Sequence, residues 1–221
     1  MAVSCGTIRY QCGTIRYQMQ AQTVTPSPSA RLQLVEGLCA AVEARGLAAT
    51  RIADIVRHAR VSKRTFYEHF ADKEACFVEA YREMAQAALA EIAAAVDPSA
   101  PWQEQVTAAL HAYFLALDAR PKLTRAFFLE IHSAGARAIT VRRDVLERFA
   151  ELTRAFVAAA RKRHPALRPL TPLMATAIVG AINELMLLKA ERPMPMRDLL
   201  ETAVTLVTTM VAPRLRRRGE R

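Results

Sequence analysis

Apolar residues recur along this chain at helical spacing. Leu32, Val35, Leu38, Cys39 and Val42 share one stripe and predict a helix over 29–45, which Gly46 ends as a left-handed cap. Ile52, Ile55, Val56 and Ala59 predict a short second helix over 51–59, with Thr50 as its N-cap. A third helix starts at Ser62, which fits an N-cap. Val61 and Phe66 flank that start as a hydrophobic staple, and Phe66 and Phe70, four apart, face a core. A fourth begins near Asp72, whose carboxylate can cap the amides of Glu74 and Ala75, and runs to about Val96 with Phe77, Tyr81, Met84 and Leu89 apolar. The run Asp97-Pro98-Ser99-Ala100-Pro101 stops it, because proline cannot continue a helix.

Beyond that break the pattern stays helical, over about 102–118, 122–133, 137–163, 171–192 and 196–211. Pro121, Gly135, Pro165, Pro169, Pro193 and Pro195 punctuate these segments. No alternating strand pattern bounded by hairpin turns is present, so the expected class is all-α. Residues 1–28 read differently. CGTIRYQ occurs twice, at 5–11 and 12–18, before a Pro/Ser stretch, and polarity predicts disorder. Three readings of this segment stand: a tail without a role, a basic arm placing Arg9 and Arg16 in a minor groove, or translation starting at Met19.

With its apolar pair turned inward, the third helix leaves Lys63, Arg64, Thr65, Tyr67 and His69 facing elsewhere. Cations, hydroxyls and a phenol on a short helix suit a DNA major groove, where base edges and phosphates accept hydrogen bonds. Residues 51–64 hold five cations (Arg51, Arg57, Arg60, Lys63, Arg64) and one acid, Asp54, the local excess that a phosphate-contacting surface needs. The spacing is that of a helix-turn-helix with its second helix as reader. VSKRTFYEHFADKEA, with ARGLAATRIADIVRHA before it, resembles the DNA-binding domain of the TetR family of transcriptional regulators, over about 31–81. The resemblance implies base or nearby phosphate contacts for Lys63, Arg64 and Thr65. It implies phosphate contacts for Tyr67, His69 and Lys73, with Thr50 and Arg51 at the start of the second helix; Ser62 joins this set as the cap.

Two positions depart from the family pattern. Arg60 stands in a turn where members usually carry Gly, so a slightly different turn is expected, since a side chain disfavours left-handed geometry. Glu68 puts an acid on the reading helix. It either pairs with Arg64 one turn earlier or reads a cytosine amino group.

Composition adds less. The chain has 221 residues, enough for a substantial core, and a formal net charge of +10, which suggests an acidic partner. Much of that surplus lies in 120–168 and in the tail 214–221, away from the motif, so the motif and not the charge carries the DNA reading. Four cysteines (Cys5, Cys12, Cys39, Cys76) show no metal-ligand pairing; Cys39 and Cys76 are expected as buried thiols in a reducing cytosol. No membrane span or signal peptide is expected, and the localisation expected is cytoplasmic. Nucleophile elbow, phosphate-binding glycine loop, metal-ligand run and paired carboxylates are all missing from the sequence, which argues against an enzyme; no cofactor or metal is expected.

The second half carries no sharp motif. Its aromatics (Trp102, Tyr113, Phe114, Phe127, Phe128, Phe149, Phe156) fill a core or line a cavity, and the family resemblance implies a small-molecule effector there. Candidate pocket residues are His111, Tyr113, Phe114, Phe128, His132 and Asn183. His111 and His132 lack a Cys or carboxylate to complete a metal set. Ala177, Gly180, Ala181 and Leu185 permit close helix approach, and Leu199, Val204, Leu206, Val207 and Val211 add apolar surface. The resemblance implies a homodimer through these last two helices, suited to double-stranded DNA with a palindromic operator. The expected division is 1–28, a DNA-binding domain over 29–78, an effector and dimerisation domain over 79–213, and a basic tail. A ligand-responsive repressor is the leading reading; an architectural protein binding DNA without sequence preference is the alternative.

Overall fold

In a computed structural model of the chain, residues 29–192 and 194–213 are described. They form α1 (Ala30–Arg45), α2 (Ile52–Ala59), α3 (Lys63–His69), α4 (Lys73–Ala95), α5 (Trp102–Asp118), α6 (Pro121–Leu129), a 3-10 turn (Ile131–Ser133), α7 (Ala136–Arg163), α8 (Pro172–Glu191) and α9 (Met196–Val211). The fold is all-α, as the periodicity predicts. The repeat segment 1–28 and the tail 214–221 lie outside the described residues.

Side-chain caps start α1, α3, α4 and α8. Ser29 accepts the amide of Leu32 at 3.4 Å, Ser62 that of Thr65 at 3.0 Å, and Thr171 that of Met174 at 3.2 Å. Asp72 accepts only the amide of Ala75, at 2.6 Å, and not that of Glu74. The start of α2 corrects the sequence expectation: its N-cap is Arg51, not Thr50. Thr50 is 2% exposed and its hydroxyl donates to the carbonyl of Gly46 at 2.7 Å, while Asp54 reaches back to accept the Arg51 amide at 3.1 Å. Gly46 has φ 81° and ψ 161°, a mirror-extended geometry rather than the left-handed helical cap expected.

Two cores result. The first gathers Leu34, Leu38 and Val42 of α1, Ile55 of α2, Phe66 and Phe70 around α3, and Phe77 of α4. Leu32, placed on the stripe by spacing, is 40% exposed; the buried face of α1 is rotated toward Leu34 and Ala41. Gly37 lies on that face, where a Cβ would stand 2.6 Å from the carbonyl of Ile55, so α1 and α2 approach at backbone distance. This core also takes in Leu123, Phe127, Ile131, Val141 and Val145, so α6 and the start of α7 complete it. The second core joins α5, α8 and α9 through Phe114, Ile178, Met186, Leu199 and Val207.

Candidate nucleic-acid interface and effector cavity

The reading helix stands on its apolar side and offers its polar side outward. Phe66 is fully buried and packs against Phe70 at 5.8 Å between centroids, while Lys63, Arg64 and His69 are exposed and Tyr67 is 59% exposed. Thr65 is half-buried, its hydroxyl 2.9 Å from that of Ser62. Arg64 Nε lies 3.1 Å from Glu68 Oε1, so of the two roles open to Glu68 the free protein adopts the ion pair. Arg51, at the N-terminal end of α2, is also exposed. Thr50 is separated from this set, because its side chain is spent on holding the loop before α2. Lys73, half-buried, donates to the carbonyl of Leu47 at 3.0 Å and ties the start of α4 to the same loop.

The α2–α3 turn is strained in one place. Arg60 has φ 57° and ψ 37° and is the only non-glycine residue with positive φ among the described residues. The turn adopts left-handed geometry although it carries a side chain. Holding an L-residue there costs roughly 1–2 kcal/mol. Beside it, Asp54 binds Arg57 at 3.0 Å and Arg45 at 3.3 Å. The Arg51 amide hydrogen bond, aided by the two guanidiniums, holds the Asp54 carboxyl below the usual carboxylate range against the opposing effect of partial burial.

Sequence reasoning missed a second brace. Glu79, 8% exposed on the inner face of α4, accepts Arg31 at 3.0 Å and Arg82 at 2.9 Å. Arg31 also lies 4.8 Å over the Phe70 ring and donates to the His69 carbonyl at 3.5 Å. The start of α1 is thereby pinned to the end of α3. An acid inside the apolar run from Cys76 to Ala80 was the available signal.

In the C-terminal half, α5, α7, α8 and α9, with Ile92 of α4, line a cavity that is partly open to solvent. Of the six predicted pocket residues, Tyr113 and Asn183 line it. Phe114 is 1% exposed in the second core, and Phe128 packs against that core without lining the cavity. His111 and His132 are exposed to solvent, which corrects their assignment: each falls on the outward side of its turn. Trp102, Phe149 and Phe156 do line the cavity, whereas Phe127 stacks on Phe77 and Tyr81 in the first core. Burial pushes the Tyr81 phenol up to about 12.

The two halves meet at the start of α6. Glu43 of α1 accepts the amide of Leu123 at 3.0 Å, a cap supplied from another helix, and Lys122 donates to the carbonyl of Ala44 at 3.0 Å. On the far side, α8 presents much apolar surface: Leu173 is 82% exposed, and a Cβ added at Gly180 would meet nothing within 4 Å. Residues 172–189 are long and apolar enough to cross a membrane, with mean hydropathy 1.3, where the sequence reading expected no span; only 22% of that window is buried. Its inner side chains, Ile178 and Met186 among them, belong to the second core, the position of a core helix with one uncovered face. Leu199, Val207 and Val211 of α9 are spent on that same core, so α9 offers less free apolar surface than its sequence implies.

These features define a helix-turn-helix DNA-binding regulator. Residues 35–80 match the family model for bacterial regulatory proteins of the tetR family, and the N-terminal domain belongs to that family. The fatty acid degradation regulator FadR from Bacillus halodurans superposes with a TM-score of 0.71 at 16% identity, covering 86% of this chain and 100% of that one. FadR from Bacillus subtilis, solved in complex with stearoyl-CoA, gives 0.68 at 13% identity, covering 81% and 98%. A putative TetR-family regulator from Mesorhizobium loti gives 0.68 at 17%, covering 85% and 99%. The whole described chain therefore has the fold of TetR-family regulators. None of the curated proteins matches it in sequence.

Proposed function

We propose that this regulator is a ligand-responsive repressor that binds a palindromic operator in the cytoplasm as a homodimer. The observation that supports it best is α3: a short helix braced from behind by Phe66, Phe70 and Arg31, with Lys63, Arg64 and Tyr67 exposed in front. In this reading Arg64 and Lys63 reach base edges, with Thr65 beside them. Tyr67, His69, Lys73 and Arg51 take phosphates, and Thr50 acts only by shaping the loop beneath them. The uncovered face of α8, with α9 beside it, pairs with its symmetry mate and sets two α3 helices about one DNA turn apart. A molecule in the C-terminal cavity releases DNA if it binds the off-operator spacing of those helices a few kcal/mol better than the on-operator spacing. The joint of Glu43 and Lys122 with α6 is the contact through which that spacing is set. Selection of bound sequences from a random duplex library with the purified protein tests the reading. Recovery of an inverted repeat with half-sites about one turn apart is expected, and a pool with no enriched motif would contradict it.

A further inference from the structure

We infer that the C-terminal cavity takes an uncharged, largely apolar molecule whose one hydrogen-bonding oxygen meets Tyr113 and Asn183. The inference rests on the reading of this cavity as the effector site and narrows its occupant. The lining is mostly aliphatic and aromatic, and among the described residues no Asp, Glu, Lys, Arg or His side chain contributes to it. A carboxylate or ammonium drawn inside would lose its hydration and meet no opposite charge, so ionised guests are excluded from the depth of the cavity.

Five lining side chains carry polar groups, the Trp102 indole N–H among them, and two are already committed. Gln105 donates its amide to the carbonyls of Ala100 at 2.9 Å and Pro98 at 3.4 Å, and the Thr153 hydroxyl donates to Phe149 at 2.8 Å. Trp102, Tyr113 and Asn183 remain, and of these Tyr113 and Asn183 lie within reach of each other. The phenol donates to Asn183 Oδ1 at 3.4 Å, well beyond the usual length for O–H···O, and the Asn183 side chain makes no other hydrogen bond among the described residues. Burial raises the Tyr113 phenol, so it is a neutral donor at physiological pH. The phenol O–H is thus spent on a long bond to the amide oxygen, while the Asn183 Nδ2–H donors are unused among the described residues. A ligand carbonyl, ether or hydroxyl oxygen that accepts from both improves on it. Burial of the rest of the molecule against Trp102, Phe149, Phe156 and the aliphatic walls supplies the affinity.

Trp102 is the chain's single tryptophan and lines the cavity, so its emission reports occupancy directly. The full-length protein is titrated at about pH 8, where carboxylic acids are ionised, with methyl decanoate against decanoate. A ring-bearing pair, methyl butylbenzoate against butylbenzoate, is run in parallel, together with decanoyl-CoA and decane. A saturable change in Trp102 emission is expected for at least one ester, half-complete at a concentration at least about tenfold lower than for its acid or for decanoyl-CoA. Tyr113→Phe and Asn183→Leu are expected to weaken that ester about 5–10-fold while leaving decane unchanged, which separates a lost hydrogen bond from a disturbed cavity. Binding of an acid or of decanoyl-CoA as tightly as the esters would overturn the inference, as would no saturable change with either ester. The same compounds added to the operator complex decide the regulatory reading separately. Occupancy at Trp102 without release of DNA would overturn the effector role and leave the ligand class standing.

Discussion

Arg64 Nε stands 3.1 Å from the carboxylate of Glu68 one turn later on α3, so the exposed guanidinium proposed to read a base is held by an acid in the free protein. Both side chains are solvated, and the pair contributes little to stability. Its consequence falls on recognition. Arg64→Ala is expected to cost about 1–3 kcal/mol on operator DNA and to relax preference at one base position. Glu68→Gln, which removes an acid facing phosphates, is expected to tighten binding to all DNA and to narrow the gap between operator and random sequence. Anisotropy titrations on both DNAs check the two variants, and equal losses on both DNAs for Arg64→Ala would remove its base-reading role.

Arg60 occupies left-handed geometry that glycine adopts without a Cβ clash. Arg60→Gly is therefore expected to stabilise the protein, the relieved strain outweighing the added chain entropy by up to roughly 1 kcal/mol. Urea denaturation of the two proteins measures it. A destabilised variant would mean that the Arg60 side chain makes compensating contacts.

Asp54 supplies a pH-dependent contribution. Its folded pKa is depressed, first by the Arg51 amide and then by Arg45 and Arg57, so its stabilisation is fully present above the ordinary carboxylate value of about 3.9. The contribution is lost as pH falls through the lower folded value. Asp54→Asn is expected to be less stable than wild type at neutral pH, with the difference shrinking only below about pH 4. Denaturation midpoints across an acid series check this, and a difference that persists unchanged into strong acid would contradict it.

The uncovered face of α8 makes self-association testable without DNA. Leu173→Glu changes a residue that is 82% exposed, so it is expected to leave the fold intact and to shift sedimentation from dimer to monomer. Gly180→Leu fills open space in the single chain and is expected to act the same way. An unchanged dimer in both variants would place the interface elsewhere.

What was legible in the sequence followed local rules. Helix limits from Trp102 to Asp118 and from Met196 to Val211 were read to the residue, because proline and apolar spacing mark them on the chain itself. The Ser62 cap and the inward pair Phe66 and Phe70 were legible for the same reason. Features set by distant partners were not. Thr50 has the chemistry of an N-cap, yet Gly46 takes its hydroxyl and Asp54 does the capping instead. Glu43 gives no local sign that it caps α6, since its partner Leu123 lies 80 positions away. In the cavity, residue type suggested His111 and His132, but the turn each occupies faces solvent. Tyr113 and Asn183 were named on the same ground, and the sides of α5 and α8 that they occupy face the cavity.

The central claim, sequence-specific recognition by α3, is tested most directly by competition. Purified protein bound to labelled duplex carrying the selected inverted repeat is challenged with unlabelled repeat or random DNA at physiological salt. A preference of at least about 10³-fold for the repeat is predicted. Equal competition by both DNAs, with a steep salt dependence, would contradict the claim and mark a protein that binds DNA by charge alone.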